Sequence, residues 1–361
     1  EAFGLSIADV LARVDAAALR RREGQGVDPH LTVQRDPAHD FSAALPFDFR
    51  PKEEAGAGSV AAVVHLFYPE LAGEFRTYLE NLPTGSDVFV STDTEEKQAR
   101  IEAAFAGFAV GRVEIRVMPN RGRDIAPKLV GFADVHDRYE FVLHLHSKAS
   151  HHDRNLSIWR TYLLESLAGS REIVSDTLWA LRSTPDLGMI FPQHFDYVRR
   201  WIDWRGNLGE ANALLGRMGR PLGEARAIDF PSGSMFWARS RALRPLLDLG
   251  LRFEDFPAEG GQKDFTPAHA VERLYAVVAE LAGFRWMKIA RPELLADQTG
   301  IVRLASPEDL QRFVRERTAR ITGNDPMRVT RTQYAFEGEN PEALLAAVRN
   351  DSRKEFVDPL L

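Results

Sequence analysis

Val60-Ala-Ala-Val-Val-His-Leu-Phe67 is a short, partly β-branched apolar run, the pattern of a strand buried on both faces. Pro69 to Leu82 follows with helical character, and Asp87-Val-Phe-Val-Ser-Thr92 reads as a second strand. Glu95 to Phe105 is the next helix, Val113-Glu-Ile-Arg-Val-Met118 the third strand, residues 125–137 a helix, and Phe141-Val-Leu-His-Leu-His146 the fourth strand. Strands alternating with helices imply βαβ units and a mostly parallel sheet, so the fold class is α/β. In such sheets ligands bind outside the carboxyl ends of the strands. Chemistry is therefore expected in the loops after Phe67, Thr92, Met118 and His146.

Outward from this core the signal changes. Residues 5–22 read as an amphipathic helix, with Leu5, Val10, Leu11, Val14 and Leu19 at helical spacing. Residues 23–59, rich in Gly, Pro, Asp and Ala, read as a wrapping linker. Beyond residue 150 helices are expected at Trp159–Leu167 and Glu172–Arg182, and strands near 187–191, 228–237 and 286–290. Thr266-Pro267 starts a strong helix running to about Ala282, a helix-capping residue followed by proline in the first turn. Residues 306–318 and 341–349 read as tail helices. The expected organisation is an N-terminal helix and linker over 1–59, a central α/β domain over 60–290 and a helical C-terminal extension over 291–361.

Composition narrows the function. With 361 residues, 44% hydrophobic and 27% charged, the chain buries a full core. A net charge of −6 argues against nucleic acid as the partner. The absence of cysteine excludes disulfides, thiol nucleophiles and cysteine metal sites, and fits a cytoplasmic setting. No apolar run approaches the roughly 20 residues that cross a bilayer. The chain opens with Glu1 rather than Met, as expected for a piece of a longer, multidomain protein.

Met118-Pro-Asn-Arg-Gly-Arg-Asp-Ile-Ala-Pro127 and Leu143-His-Leu-His-Ser-Lys148 stand at two of the strand ends. Phe230-Pro-Ser-Gly-Ser-Met-Phe-Trp237 and Ala268-His-Ala-Val-Glu-Arg-Leu274 follow in order. Together these segments resemble the rhamnan synthesis protein F family of bacterial polysaccharide assembly, over about residues 60–290. More distantly the sequence is similar to inverting transferases of the GT-A fold. Those enzymes commonly carry Asn-x-Gly after the third strand and Asp-x-Asp at the end of the fourth. Asn120 and Gly122 fill the first place, but His144-Leu145-His146 stands where the carboxylates would be. The resemblance implies a GT-A-like sheet flanked by helices and transfer of a deoxyhexose, rhamnose, from a nucleotide-diphosphate sugar to a glycan acceptor. With the Asp-x-Asp pair replaced, no metal cofactor is expected to be required. The implied setting is the cytoplasm, at the inner face of the membrane with peripheral contact.

The site residues follow from these segments. In the loop after the third strand, Gly122 lets the backbone approach a ligand. Asp124 suits a ribose or base, and Arg121 and Arg123, beside Asn120, suit a diphosphate; the alternative is a self-satisfied Arg–Asp turn. His144 and His146 project from one strand face, and with Lys148 they suit a developing diphosphate charge; the alternative is a pair of histidines bonded within the sheet. Ser232, Gly233 and Ser234 offer small donors to an acceptor sugar and Trp237 a ring for stacking, against an ordinary turn feeding a buried strand. His269, Glu272 and Arg273 share a helix face, where a surface ion pair is the alternative. An inverting transfer needs a base for the acceptor hydroxyl. In the resembled enzymes the base precedes a Gly-aromatic-Arg turn, and Glu272 stands so before Gly283-Phe284-Arg285; Asp264 is the second candidate. His269 joins the acceptor side. A catalytically silent carbohydrate-binding scaffold is the competing reading. A dinucleotide oxidoreductase fits poorly, since no Gly-x-Gly-x-x-Gly follows the first strand.

Overall fold

The structure, a computed structural model, describes residues 31–50, 58–147, 154–222, 227–260, 266–318, 320–322 and 327–331. The expected helices at 5–22 and 341–349 lie outside the described residues. After β1 (Leu31–Arg35) come β2 (Ser42–Ala44), β3 (Val60–His65), β4 (Asp87–Thr92), β5 (Val113–Val117) and β6 (Phe141–His146). They are followed by β7 (Leu187–Pro192), β8 (Phe236–Arg239), β9 (Arg285–Ala290), β10 (Ile301–Val302) and β11 (Met327–Arg331). β1 and β11 pair antiparallel by themselves; the other nine form one sheet in the order β10-β2-β9-β7-β8-β6-β3-β4-β5. Its pairings are parallel except for β8, which runs antiparallel to both β6 and β7. The α/β class and the mostly parallel sheet expected from the sequence are thus present.

The helices are α1 (Ala72–Leu79), α2 (Glu95–Ala104), α3 (Ala133–Arg138), α4 (Arg154–Ala168), α5 (Arg171–Ser183), α6 (Leu208–Arg217), α7 (Arg244–Leu247), α8 (Pro267–Leu281) and α9 (Pro307–Glu316). One sheet face turns Ala62, Val64, Val90, Leu143, Leu145 and Trp237 into a core with Phe75, Trp159, Leu163 and Leu178 from α1, α4 and α5. The other turns Ala61, Val63, Phe89, Val142 and Phe236 against Ile125, Leu129 and Phe132, α6 and α8. A central strand buried on both faces is what an unbroken apolar run such as Val60–Val64 requires. α8 is buried from Ala268 through Ala279. Among the described residues no helix is long and apolar enough to cross a membrane.

Several elements differ from expectation, each for a local reason. The strand expected over 228–237 begins only at Phe236. Pro231 has no N–H to give a ladder, and Gly233 and Ser234 take φ of 84° and 52°, which a pleated strand does not accept. Residues 125–137 start with a wide turn over Pro127–Gly131 before α3. α6 was not expected, because Gly206, Gly209 and Gly216 dilute its helical signal; packing against α8 decides it. β2 and β10, from the segments read as linker and extension, are too short to show a period, yet both join the main sheet.

Candidate active site

The parallel strands deliver their carboxyl ends to one edge of the sheet. Because β8 runs the other way, the 231–235 turn leading into it arrives at that same edge. His65 ends β3 and His146 ends β6, and the two are register partners on one sheet face. His65 Nδ1 lies 2.9 Å from Ser91 Oγ. Burial lowers the His65 pKa to about 4, so its ring is neutral at pH 7.

Asp124 and Lys128 form the centre. Lys128 is fully buried and gives its ammonium to Asp124 Oδ2 at 2.9 Å and to the Ser234 carbonyl at 2.8 Å. Burial alone would push the Asp124 carboxyl up, but the charges of His146 and Lys128 outweigh it and hold Asp124 well below the usual carboxylate range. His146 Nδ1 stands 4.0 Å from Asp124 Oδ1. Its Nε2–H donates to the Gly233 carbonyl at 2.7 Å, and the Gly233 N–H donates to Glu272 Oε1 at 2.8 Å. The loop after β5, the end of β6, the turn before β8 and helix α8 therefore meet through one hydrogen-bonded unit.

The rest of the predicted loop is fixed from outside. Arg121 Nη1 donates to the Phe256 carbonyl at 2.9 Å, and the Arg123 N–H to Glu259 Oε1 at 3.0 Å. Arg123 Nη1 reaches His269 Nε2 at 2.8 Å. A guanidinium only donates, so His269 Nε2 accepts and its Nδ1–H points to Thr266 Oγ1, 2.7 Å away. Asn120 is exposed at the rim. His269, Glu272 and Arg273 do share a face, but that face is buried, with Arg273 0% exposed and bonded to the Asp203 and His269 carbonyls. A surface ion pair is not what this helix carries.

Some expectations are corrected. Trp237 is 0% exposed on the opposite sheet face and donates its indole N–H to the Leu167 carbonyl at 3.0 Å, so its ring is unavailable to a sugar. His144 is also 0% exposed, stacked on Phe236 with ring centroids 4.6 Å apart; it lies inside the core and does not reach a diphosphate. Gly122, at φ 68°, is not a port for ligand approach: a Cβ there would fall 2.6 Å from Ala126 Cβ and 2.7 Å from Phe256 Cγ. The donors of the 232–234 turn are largely spent within the protein. Gly233 N–H goes to Glu272 and Ser234 N–H to the Pro231 carbonyl at 2.8 Å, and Ser232 Oγ lies 3.0 Å from His194 Nδ1. Lys148 and Asp264 lie outside the described residues.

Sequence reading missed His65, Lys128 and Glu259. His65 had a signal, a polar residue ending an apolar strand; Lys128 had one in its i, i+4 spacing from Asp124. Glu259 had none, since only the tertiary fold brings it to Arg123. Among the described residues no group of three or more His, Cys, Asp or Glu is placed to share a metal ion.

Residues 40–284 match the family model described as rhamnan synthesis protein F. The chain is also 32% identical over 229 residues to the uncharacterized protein WxcX of two strains of Xanthomonas campestris pv. campestris. That alignment takes in 63% of this chain and 32% of each relative, so the chain spans about a third of the length of these curated proteins. The family match covers well over half of the chain and every site element from β3 to α8, and the chain belongs to the rhamnan synthesis protein F family.

Proposed function

We propose that this chain is a glycosyltransferase that moves a deoxyhexose, rhamnose, from a nucleoside diphosphate donor to a growing bacterial surface polysaccharide, with inversion. The observation that carries the reading is the convergence of Asp124, Lys128, His146, Gly233 and Glu272 in one hydrogen-bonded and ion-paired unit at the ligand-binding edge of the sheet, in a chain of this family. The diphosphate lies over the Asn120–Arg123 loop and His146, and the guanidinium charges of Arg121 and Arg123 stabilise the leaving group. Glu272 accepts the proton of the attacking acceptor hydroxyl; the new bond forms at the anomeric carbon as the bond to the diphosphate oxygen breaks, and the diphosphate leaves with the electron pair. His269 and Ser234 line the acceptor side.

The chain acts at the inner face of the membrane without a required metal ion, so transfer should persist in excess chelator; loss on chelation, restored by manganese, would reverse that point. The direct test is thermal stabilisation by a panel of nucleoside diphosphates, followed by transfer from the matching rhamnose donor. Binding with turnover supports the reading. Binding of glycan without donor binding or turnover favours a silent carbohydrate-binding domain, the reading that the missing Asp-x-Asp pair supports.

A further inference from the structure

Behind the 231–234 turn lies a buried polar lattice that the reaction above does not use. Asp229 is 1% exposed and accepts from three sides: Lys288 Nζ at 2.9 Å, Arg35 Nε at 3.0 Å and His194 Nε2 at 2.6 Å. Lys288 also pairs with Asp40. On its other side His194, 4% exposed, faces Ser232 Oγ at 3.0 Å through Nδ1.

The protons in this chain are fixed by its chemistry. Burial would push the Asp229 carboxyl up, but Lys288, His194 and Arg35 outweigh it and keep it ionised. An ionised carboxylate only accepts, so His194 Nε2 carries hydrogen. Burial also lowers the pKa of His194, against the pull of Asp229. In the neutral ring Nδ1 holds a lone pair, and Ser232 must give it the hydroxyl hydrogen.

What this bond holds is a turn with little reason to persist alone. Gly233 and Ser234 both sit at positive φ, and a non-glycine residue there survives only where its surroundings over-determine it. That conformation lets Gly233 offer its carbonyl to His146 and its N–H to Glu272, and lets the Ser234 carbonyl cap Lys128. We propose that the buried Asp229–His194 pair is a positioning device: through Ser232 it locks the 231–234 turn in the geometry that orients His146 and Glu272. The inference rests on the glycosyltransferase reading for its consequence in catalysis, but its proton assignment stands apart from that reading.

The test uses the full chain and two isosteres. The amide oxygen of His194→Asn stands near the position of Nδ1 and keeps an acceptor for Ser232. His194→Gln reaches toward Asp229 and leaves Ser232 without its partner. The expected result is that kcat in rhamnosyl transfer falls only about threefold for His194→Asn, which keeps the acceptor for Ser232 but loses the contact with Asp229. It should drop about tenfold for His194→Gln and Ser232→Ala, the loss of one to two hydrogen bonds, with donor KM little changed. Equal loss in both histidine variants, or a loss carried by KM alone, overturns the positioning role. In parallel, nitrogen-15 NMR of histidine-labelled protein should show His194 with hydrogen on Nε2 and a bare Nδ1, and Ser232→Ala should shift the Nδ1 signal. Hydrogen found on Nδ1 overturns the proposal whether or not the chain transfers sugar. If the parent transfers nothing while the NMR result is as expected, the functional reading fails and the proton assignment stands.

Discussion

Lys128 is fully buried, with its ammonium on Asp124 and on the Ser234 carbonyl. A charge taken out of water stays charged only if its partner remains, so Asp124 cannot be treated as a removable ligand contact. Asp124→Ala should destabilise the protein by about 3–5 kcal/mol, the usual effect of stranding a buried charge. Pairing it with Lys128→Met should recover much of that loss. Urea unfolding of both variants decides the matter: a single variant as stable as the parent would mean that the pair contributes nothing. Glu272 is the opposite case. Glu272→Gln keeps a carbonyl oxygen for the Gly233 N–H but removes the basicity, so turnover should fall about 10²–10⁴-fold with the melting temperature and donor affinity nearly unchanged. Asp264→Asn is the companion measurement. If it is inactive while Glu272→Gln turns over normally, the base is Asp264.

At the scale of elements, the loop after β5 depends on a glycine for packing. Gly122 has φ 68°, and a Cβ would press on Ala126 and Phe256. Gly122→Ala should therefore displace the 120–124 loop from the 253–259 segment and destabilise the fold by about 1–3 kcal/mol, with nucleotide affinity falling as well. Unchanged stability together with lost binding would mean instead that the glycine faces ligand. Strands β3 to β6 and helices α1 and α2 were legible in the sequence because each carries its own period. The late start of β8 was not, because the backbone of Gly233 and Ser234 is set by bonds to His146, Glu272 and Lys128 from other elements.

For the whole molecule, buried histidines set the response to acid. Burial lowers His65 and His136 to about 4, and lowers His144 and His194 as well. His65 and His136 stay neutral in the folded protein down to about pH 4, while the unfolded chain binds protons below about pH 6.5. Stability is therefore complete above that pH and falls toward pH 4, by up to about 1.4 kcal/mol per pH unit for each such group. Asp176 works the other way. Burial pushes its carboxyl up to about 6, so between its ordinary value and 6 the folded state holds a proton that the unfolded chain releases, and acid favours folding there. The histidines outnumber it. Calorimetric melting temperatures should drop steadily from pH 7 to pH 4, and more steeply in Asp176→Asn. A flat or rising curve would show that these rings are charged or solvated in the folded protein.

The sequence by itself determined the α/β class, the order of the central βαβ units and the segments that meet at the site. Those features rest on local periods and on the rule that parallel strands bring their carboxyl ends together. It also pointed to Asp124, His146, Glu272 and His269, which are polar residues at strand ends or on one helix face. Only the tertiary structure decided which faces are open. Trp237 and His146 both belong to strands or strand ends beside the site, yet Trp237 points into one core while His146 points at Asp124. It also decided where each hydrogen bond is spent, because a donor such as the Gly233 N–H or the Ser232 hydroxyl is committed by a partner 38 or 39 residues away in the chain. No pattern of spacing encodes such a partner. Closure of the core brings the two together, and the cost of leaving a buried polar group unpaired keeps them there.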